Sequence, residues 1–116
     1  MEYIFDNDRP IYIQLVEKLR LEIISNKLKP GERIPSVREL ALNVRVNPNT
    51  MQKALSELEE TGLIYTERTN GKFVTADTAL IERIKQEYAK ALTEKYIKSM
   101  ADIGIDRKTA EEYFKL

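Results

Sequence analysis

A mostly helical fold carrying one β-hairpin is predicted by three observations. Apolar residues recur every three or four positions along most of the chain, the period of amphipathic helices. The period changes only around Asn70-Gly71, where two short β-prone runs flank a strong hairpin signal. Finally, Ser36, Asn47 and Asp106 each stand just ahead of a periodic stretch, where a helix N-cap belongs.

The elements follow in order. Asp8-Arg9-Pro10 offers a capping carboxylate and a helix-starting proline. Tyr12, Leu15, Val16, Leu19 and Ile23 then form one face of a helix from about Pro10 to Ser25. Lys29-Pro30-Gly31 is a turn. Ser36 and Glu39 fit the capping box of a second helix of about two turns, with Val37, Leu40, Ala41 and Val44 facing inward. Asn47 caps a third helix that has Pro48 in its first position. Its inner face is Met51, Ala54, Leu55 and Leu58, and Gly62 ends it.

Leu63–Arg68 is expected as a strand, Thr69–Gly71 as a turn and Lys72–Thr75 as the returning strand. A long helix spans about Thr78 to Asp102, with Ile81, Ile84, Tyr88, Leu92 and Tyr96 on one stripe. Gly104 breaks it. Asp106 starts a short last helix, Arg107 to Lys115, with Ala110, Tyr113 and Phe114 expected inward.

Composition narrows the function. The chain has no Cys and no His, which removes thiol nucleophiles, disulfides, His-dependent triads and the usual zinc ligands. No metal and no cofactor is expected, and no enzyme. The apolar runs are only a few residues long, so no membrane span is expected. The acidic start, without a basic segment ahead of an apolar one, predicts no secretion signal and a cytoplasmic location.

The 19 basic and 19 acidic residues cancel over the whole chain. Locally they do not. Lys27 to Lys53 holds six basic and two acidic residues, a net charge of +4. The balancing acids include Glu57, Glu59, Glu60, Glu2, Asp6 and Asp8.

Two short helices joined by a tight turn and followed by a hairpin constitute a winged helix-turn-helix, whose later helix enters the major groove of DNA. The outward residues of that helix, Asn49, Gln52, Lys53 and Ser56, include types that pair with base edges or phosphates. Asn47 has a second reading as a cap alone, Arg38 as an ion-pair partner of Glu39 or Glu32, and Gln52 and Lys53 as solubilising residues. Arg45, in the turn, is an even choice between backbone contact and none. Tyr12 and Phe73 are read as core. The rival function is a winged helix that binds protein without DNA readout. The local positive charge argues against it.

Pro10–Leu15, Leu28–Ala41, Val46–Leu55, Leu58–Ile64 and Arg68–Val74 together resemble the DNA-binding domain of GntR-family transcriptional regulators, with a recognition helix in the form typical of the YtrA-type branch. The resemblance covers roughly residues 10–75. It implies that Ser36 and Arg38 meet the phosphate backbone. Asn47, Asn49, Thr50, Gln52 and Lys53 would face DNA from the third helix, and Arg68, Asn70, Gly71 and Lys72 from the wing. Two departures stand out. Pro48 and Gln52 replace arginines common in the family, and Thr69 replaces the first of two wing glycines.

The division expected is a DNA-binding domain over residues 1–77 and a two-helix dimerisation region over 78–116. The remainder is too short for the large effector domains of other branches. The stripe Ile81, Ile84, Tyr88, Leu92 and Tyr96 is expected to be covered by a second copy, giving a homodimer on a two-fold operator in double-stranded DNA. The resemblance implies a repressor, with a transporter operon as one target. Tyr88, Tyr96 and Tyr113 are read as packing residues rather than a ligand pocket, and no effector is identified.

Overall fold

The computed structural model describes residues 3–116, so Glu2 lies outside the described residues. Its helices are α1 (Ile11–Ile24), α2 (Val37–Val44), α3 (Pro48–Glu60), α4 (Thr78–Asp102) and α5 (Arg107–Glu112), the last running into a 3₁₀ turn, Tyr113–Lys115. The hairpin strands are β1 (Ile64–Glu67) and β2 (Gly71–Val74). The chain divides into two compact units, one running to Glu82 and the other from Arg83 to Leu116. The division falls inside α4 rather than ahead of it.

In the first unit, the stripes read from the sequence meet. α3 packs against both α1 and α2. Leu15, Leu19, Leu40, Met51, Ala54, Leu55, Leu58 and Leu63 are all at most 1% exposed, and removing that much apolar surface from water is the main stabilising contribution. Tyr12, Val37 and Phe73 are half-buried and sit at the edge of this core.

The caps of α2 and α3 form as expected. Ser36 Oγ accepts the Glu39 amide at 3.1 Å, and the Asn49 amide donates to Asn47 Oδ1 at 2.7 Å. The start of α1 differs. Pro10 occupies the N-cap and no side chain caps the helix. Instead Gln14, 1% exposed, accepts from the Asp6 amide and donates to the carbonyls of Asp6 and Arg9. A buried amide needs partners for both ends, and this one binds the segment before the helix.

The chain leaves α3 through Gly62 at φ +83°. A Cβ there would lie 3.2 Å from Leu80 Cδ2, so the residue answers both a left-handed turn and a close approach. The strands pair antiparallel with Ile64 opposite Val74 and Glu67 opposite Gly71. The hairpin loop is therefore Arg68-Thr69-Asn70, closed by the Asn70 amide on the Glu67 carbonyl at 3.2 Å. Gly71, at φ +98°, already belongs to β2.

A third extended segment was not foreseen. The Gly31 amide donates to the Val74 carbonyl, the Val74 amide to Glu32 and the Ile34 amide to Lys72, and Arg33 forms an antiparallel bridge with Phe73. The wing is thus stitched to the loop between α1 and α2.

In the second unit Ala110 is buried, but Tyr113 and Phe114 are 47% and 71% exposed, contrary to the inward placement expected. The tightening to a 3₁₀ turn at Tyr113 changes the helical phase, and a unit this small has little interior to offer. Phe114 covers Tyr96 at 5.2 Å, and Tyr96 donates its hydroxyl to the Ala110 carbonyl at 3.0 Å.

Candidate nucleic-acid interface

The N-terminal half of α3 presents its polar face to solvent. Asn47, Asn49, Gln52 and Lys53 are exposed and Thr50 is half-buried. Their chemistry differs once the bonds are assigned. Asn47 Oδ1 is occupied by the cap, which leaves its amide N–H groups to meet an acceptor such as a phosphate. Gln52 donates one N–H to Ser56 Oγ at 3.2 Å, which orients the amide while keeping a second N–H and the carbonyl for a base edge. Asn49 has no side-chain bond among the described residues. Lys53 reaches across to α1, its ammonium 3.8 Å from the centre of the Tyr12 ring. That cation–π contact steadies the side chain without neutralising it.

Ser36 and Arg38 are exposed at the first turn of α2. Arg38 makes no ion pair among the described residues. Glu39 turns back to Ser36, and Glu32 accepts the Lys29 amide, so neither carboxylate takes the partnership the sequence left open. Arg45 ends α2 in the left-handed region at φ 58°, which ends the helix and turns the chain toward α3. Arg38, Leu42, Arg45, Val46 and Pro48 line an open apolar groove of about 500 Å³, with Leu42 76% exposed. Two uncompensated guanidinium groups therefore stand beside the exposed N-terminal end of α3.

On the wing, Arg68, Asn70 and Thr69 are exposed at the tip. Asn70 bonds Glu67 through its side-chain amide. Lys72, which the resemblance sets facing DNA, is engaged within the chain. It forms an ion pair with Glu59 on α3 and a second bond to Thr66 Oγ1 at 2.9 Å, and its side chain is 16% exposed. The register places Lys72 opposite Thr66, so its side chain reaches the end of α3 rather than solvent. Arg33, which the sequence reading counted only as charge, donates Nε–H to the Asn70 carbonyl at 2.9 Å. Its pairing partner lies 37 residues away, beyond any local signal.

Partial burial pushes the Glu59 carboxyl up, but hydrogen bonds from Lys72 and Thr66 and the Lys72 charge outweigh this and hold it below the usual carboxylate range. A carboxyl with a lowered folded-state pKa stabilises above its unfolded value, about 4.3, and the contribution is lost as pH falls through the folded value. Wing amide protection against hydrogen exchange is therefore expected to hold from pH 7 to about 5 and fall below about pH 4. Lys72→Met is expected to flatten that dependence. An unchanged profile in the variant would show that the pair does not anchor the wing.

Two short helices at a tight turn, an exposed polar helix start, flanking arginines and a stitched hairpin define a winged helix-turn-helix DNA-binding protein. The model of the bacterial regulatory proteins, gntR family, matches residues 11–74, and the chain belongs to that family. It is 35% identical to the HTH-type transcriptional repressor YtrA of Bacillus subtilis over 91% of this chain and 82% of YtrA. A GntR family transcriptional regulator from Listeria monocytogenes superposes with a TM-score of 0.90 at 42% identity, over 96% of this chain and 97% of that one. The structure of AraR(DBD) in complex with operator ORX1 matches 65% of this chain and 95% of that one, with a TM-score of 0.58 and 28% identity. The protein is a DNA-binding transcriptional regulator, not an enzyme. Among the described residues no helix is long and apolar enough to cross a membrane.

Proposed function

We propose that the protein is a homodimeric repressor that binds a two-fold operator. The observation that carries the reading is the exposed start of α3, where Asn49 and the Ser56-oriented Gln52 offer paired donor and acceptor groups beside Arg38 and Arg45. Asn49 and Gln52 read base edges in the major groove. Ser36, Arg38, Asn47, Thr50 and Lys53 hold the phosphate backbone. Arg68, Asn70 and the backbone at Gly71 carry the wing contact, and Lys72 contributes chiefly by fixing the wing. Repression follows the likeness to YtrA, and a transporter operon is the target we extend from the same branch. Its place of action is the cytoplasm, where its DNA is.

The stripe on α4 supports the dimer. Ile81 is buried within its own chain and offers no free surface, and Tyr96 is engaged with Ala110 and Phe114. Ile84 and Tyr88 are half-buried and Leu92 is 54% exposed, and these three form the part a second copy covers. Ile103 and Leu116, also exposed, extend the uncovered apolar surface of this unit. A two-fold dimer places equivalent half-sites about 34 Å apart or at a multiple of that.

Footprinting on the region upstream of its own gene tests operator binding. Arg38→Ala is expected to weaken binding at every salt concentration and to lower the slope of log K against log salt by about 0.9. An unchanged slope would remove Arg38 from the phosphate contacts.

A further inference from the structure

We propose that Arg33 both positions the wing tip and adds a phosphate contact beside those of Arg68 and Asn70, from one guanidinium. This rests on the DNA-binding reading above. Four observations converge on the residue. Its backbone forms the antiparallel bridge with Phe73, between the Ile34–Lys72 and Val74–Glu32 hydrogen bonds, so the side chain springs from a fixed root. Its Nε–H is bonded to the Asn70 carbonyl at the hairpin tip. Its guanidinium lies along the backbone of Gly71, where a Cβ would stand 3.5 Å from both Nε and Nη2. Arg33 is exposed, and no carboxylate lies within ion-pair distance of it among the described residues.

Arg68 stands exposed at the tip, and of the two cations on the paired segments behind it, Arg33 and Lys72, only Arg33 keeps its charge free. Lys72 is the wing's other strand-borne cation, and Glu59 neutralises it. A guanidinium carries five N–H donors in a planar fork, and the Asn70 bond occupies one. The outer Nη groups remain, in the geometry that matches two oxygens of a phosphodiester. Fixing the tip and presenting the charge are thus the same act. The Nε bond sets the plane of the fork, and the Nη groups, which make no hydrogen bond among the described residues, belong to an exposed side chain. A Cβ at Gly71 would meet the guanidinium only at ordinary van der Waals distance, and it is the φ of +98° that reserves the position for glycine.

The test uses the full chain and the tightest duplex that the wild-type protein selects from a random-sequence DNA library. Arg33→Ala is expected to keep the wild-type circular dichroism melt, to bind about tenfold more weakly and to lower the salt slope by about 0.9. Arg33→Lys is expected to keep the slope, because the charge remains. It should still lose affinity a few-fold and exchange its wing amides faster, because an ammonium cannot hold the planar fork. An Arg33→Ala slope equal to wild type would overturn the phosphate contact. Wing exchange in Arg33→Lys equal to wild type would overturn the positioning role. If the wild-type protein selects no duplex at all, the DNA-binding reading itself falls, an outcome distinct from failure of the Arg33 variants alone.

Discussion

Replacing Tyr88 and Leu92 together by glutamate is expected to yield a folded monomer that has lost most of its hold on the operator. Both residues lie on one face of α4, four positions apart, and neither is buried in the single chain. Glutamate is a good helix former, so α4 should persist. Placed in a closing interface, two carboxylates per chain would each require burial of an unpaired charge, which strongly opposes association. A dimer on two half-sites gains from the second contact being intramolecular, an effect worth about 10² to 10⁴ in apparent affinity. The double variant should lose about that factor on a duplex with both half-sites and almost nothing on a duplex with one. Light scattering at micromolar concentration reads the first half of the prediction and titration of the two duplexes the second. A variant that still sediments as a dimer would place the interface elsewhere.

The largest stability effect is expected from Leu55→Ala. Leu55 is fully buried on α3, the helix that packs on both α1 and α2 and also carries the residues we propose to read bases. Removing its side-chain carbons leaves a cavity in a close-packed site, and such changes cost about 2–5 kcal/mol. Against a total of about 5–15 kcal/mol for a domain, that is a large fraction. The urea midpoint should fall sharply with little change in m, and Tm should fall by roughly 10 °C or more. Asn49→Ala on the opposite face should do the reverse, sparing the midpoint and weakening DNA binding. A midpoint loss equivalent to less than about 1 kcal/mol in Leu55→Ala would mean that the site collapses around the gap.

These two variants probe parts of the molecule that the sequence disclosed to different degrees. The core face of α3 follows from Met51, Ala54, Leu55 and Leu58 at helical spacing, and its start from Asn47-Pro48. All are within-helix signals. The stripe on α4 was visible by the same period, yet the period does not tell which of its members are covered by the chain itself. Ile81 is buried in the first unit and Tyr96 bonds Ala110, and only the packing separates them from Leu92. Tyr113 and Phe114 show the same limit. Their spacing suits an inner face, but the 3₁₀ turn and the small second unit leave them largely exposed.

The candidate interface divides along the same line. Local chemistry determined the helix order, the caps of α2 and α3, the hairpin and the basic stretch from Lys27 to Lys53, because capping and amphipathic period act within a few residues. The tertiary structure decided which charges are free. Lys72 is neutralised by Glu59, 13 residues away, Lys53 rests on Tyr12, and Arg33 crosses 37 residues to hold the wing tip. The physical reason is that an ion pair or a ladder bond is fixed by which strands and helices pack together. A sequence read locally shows that a cation is present, and only the packing shows whether it already has a partner.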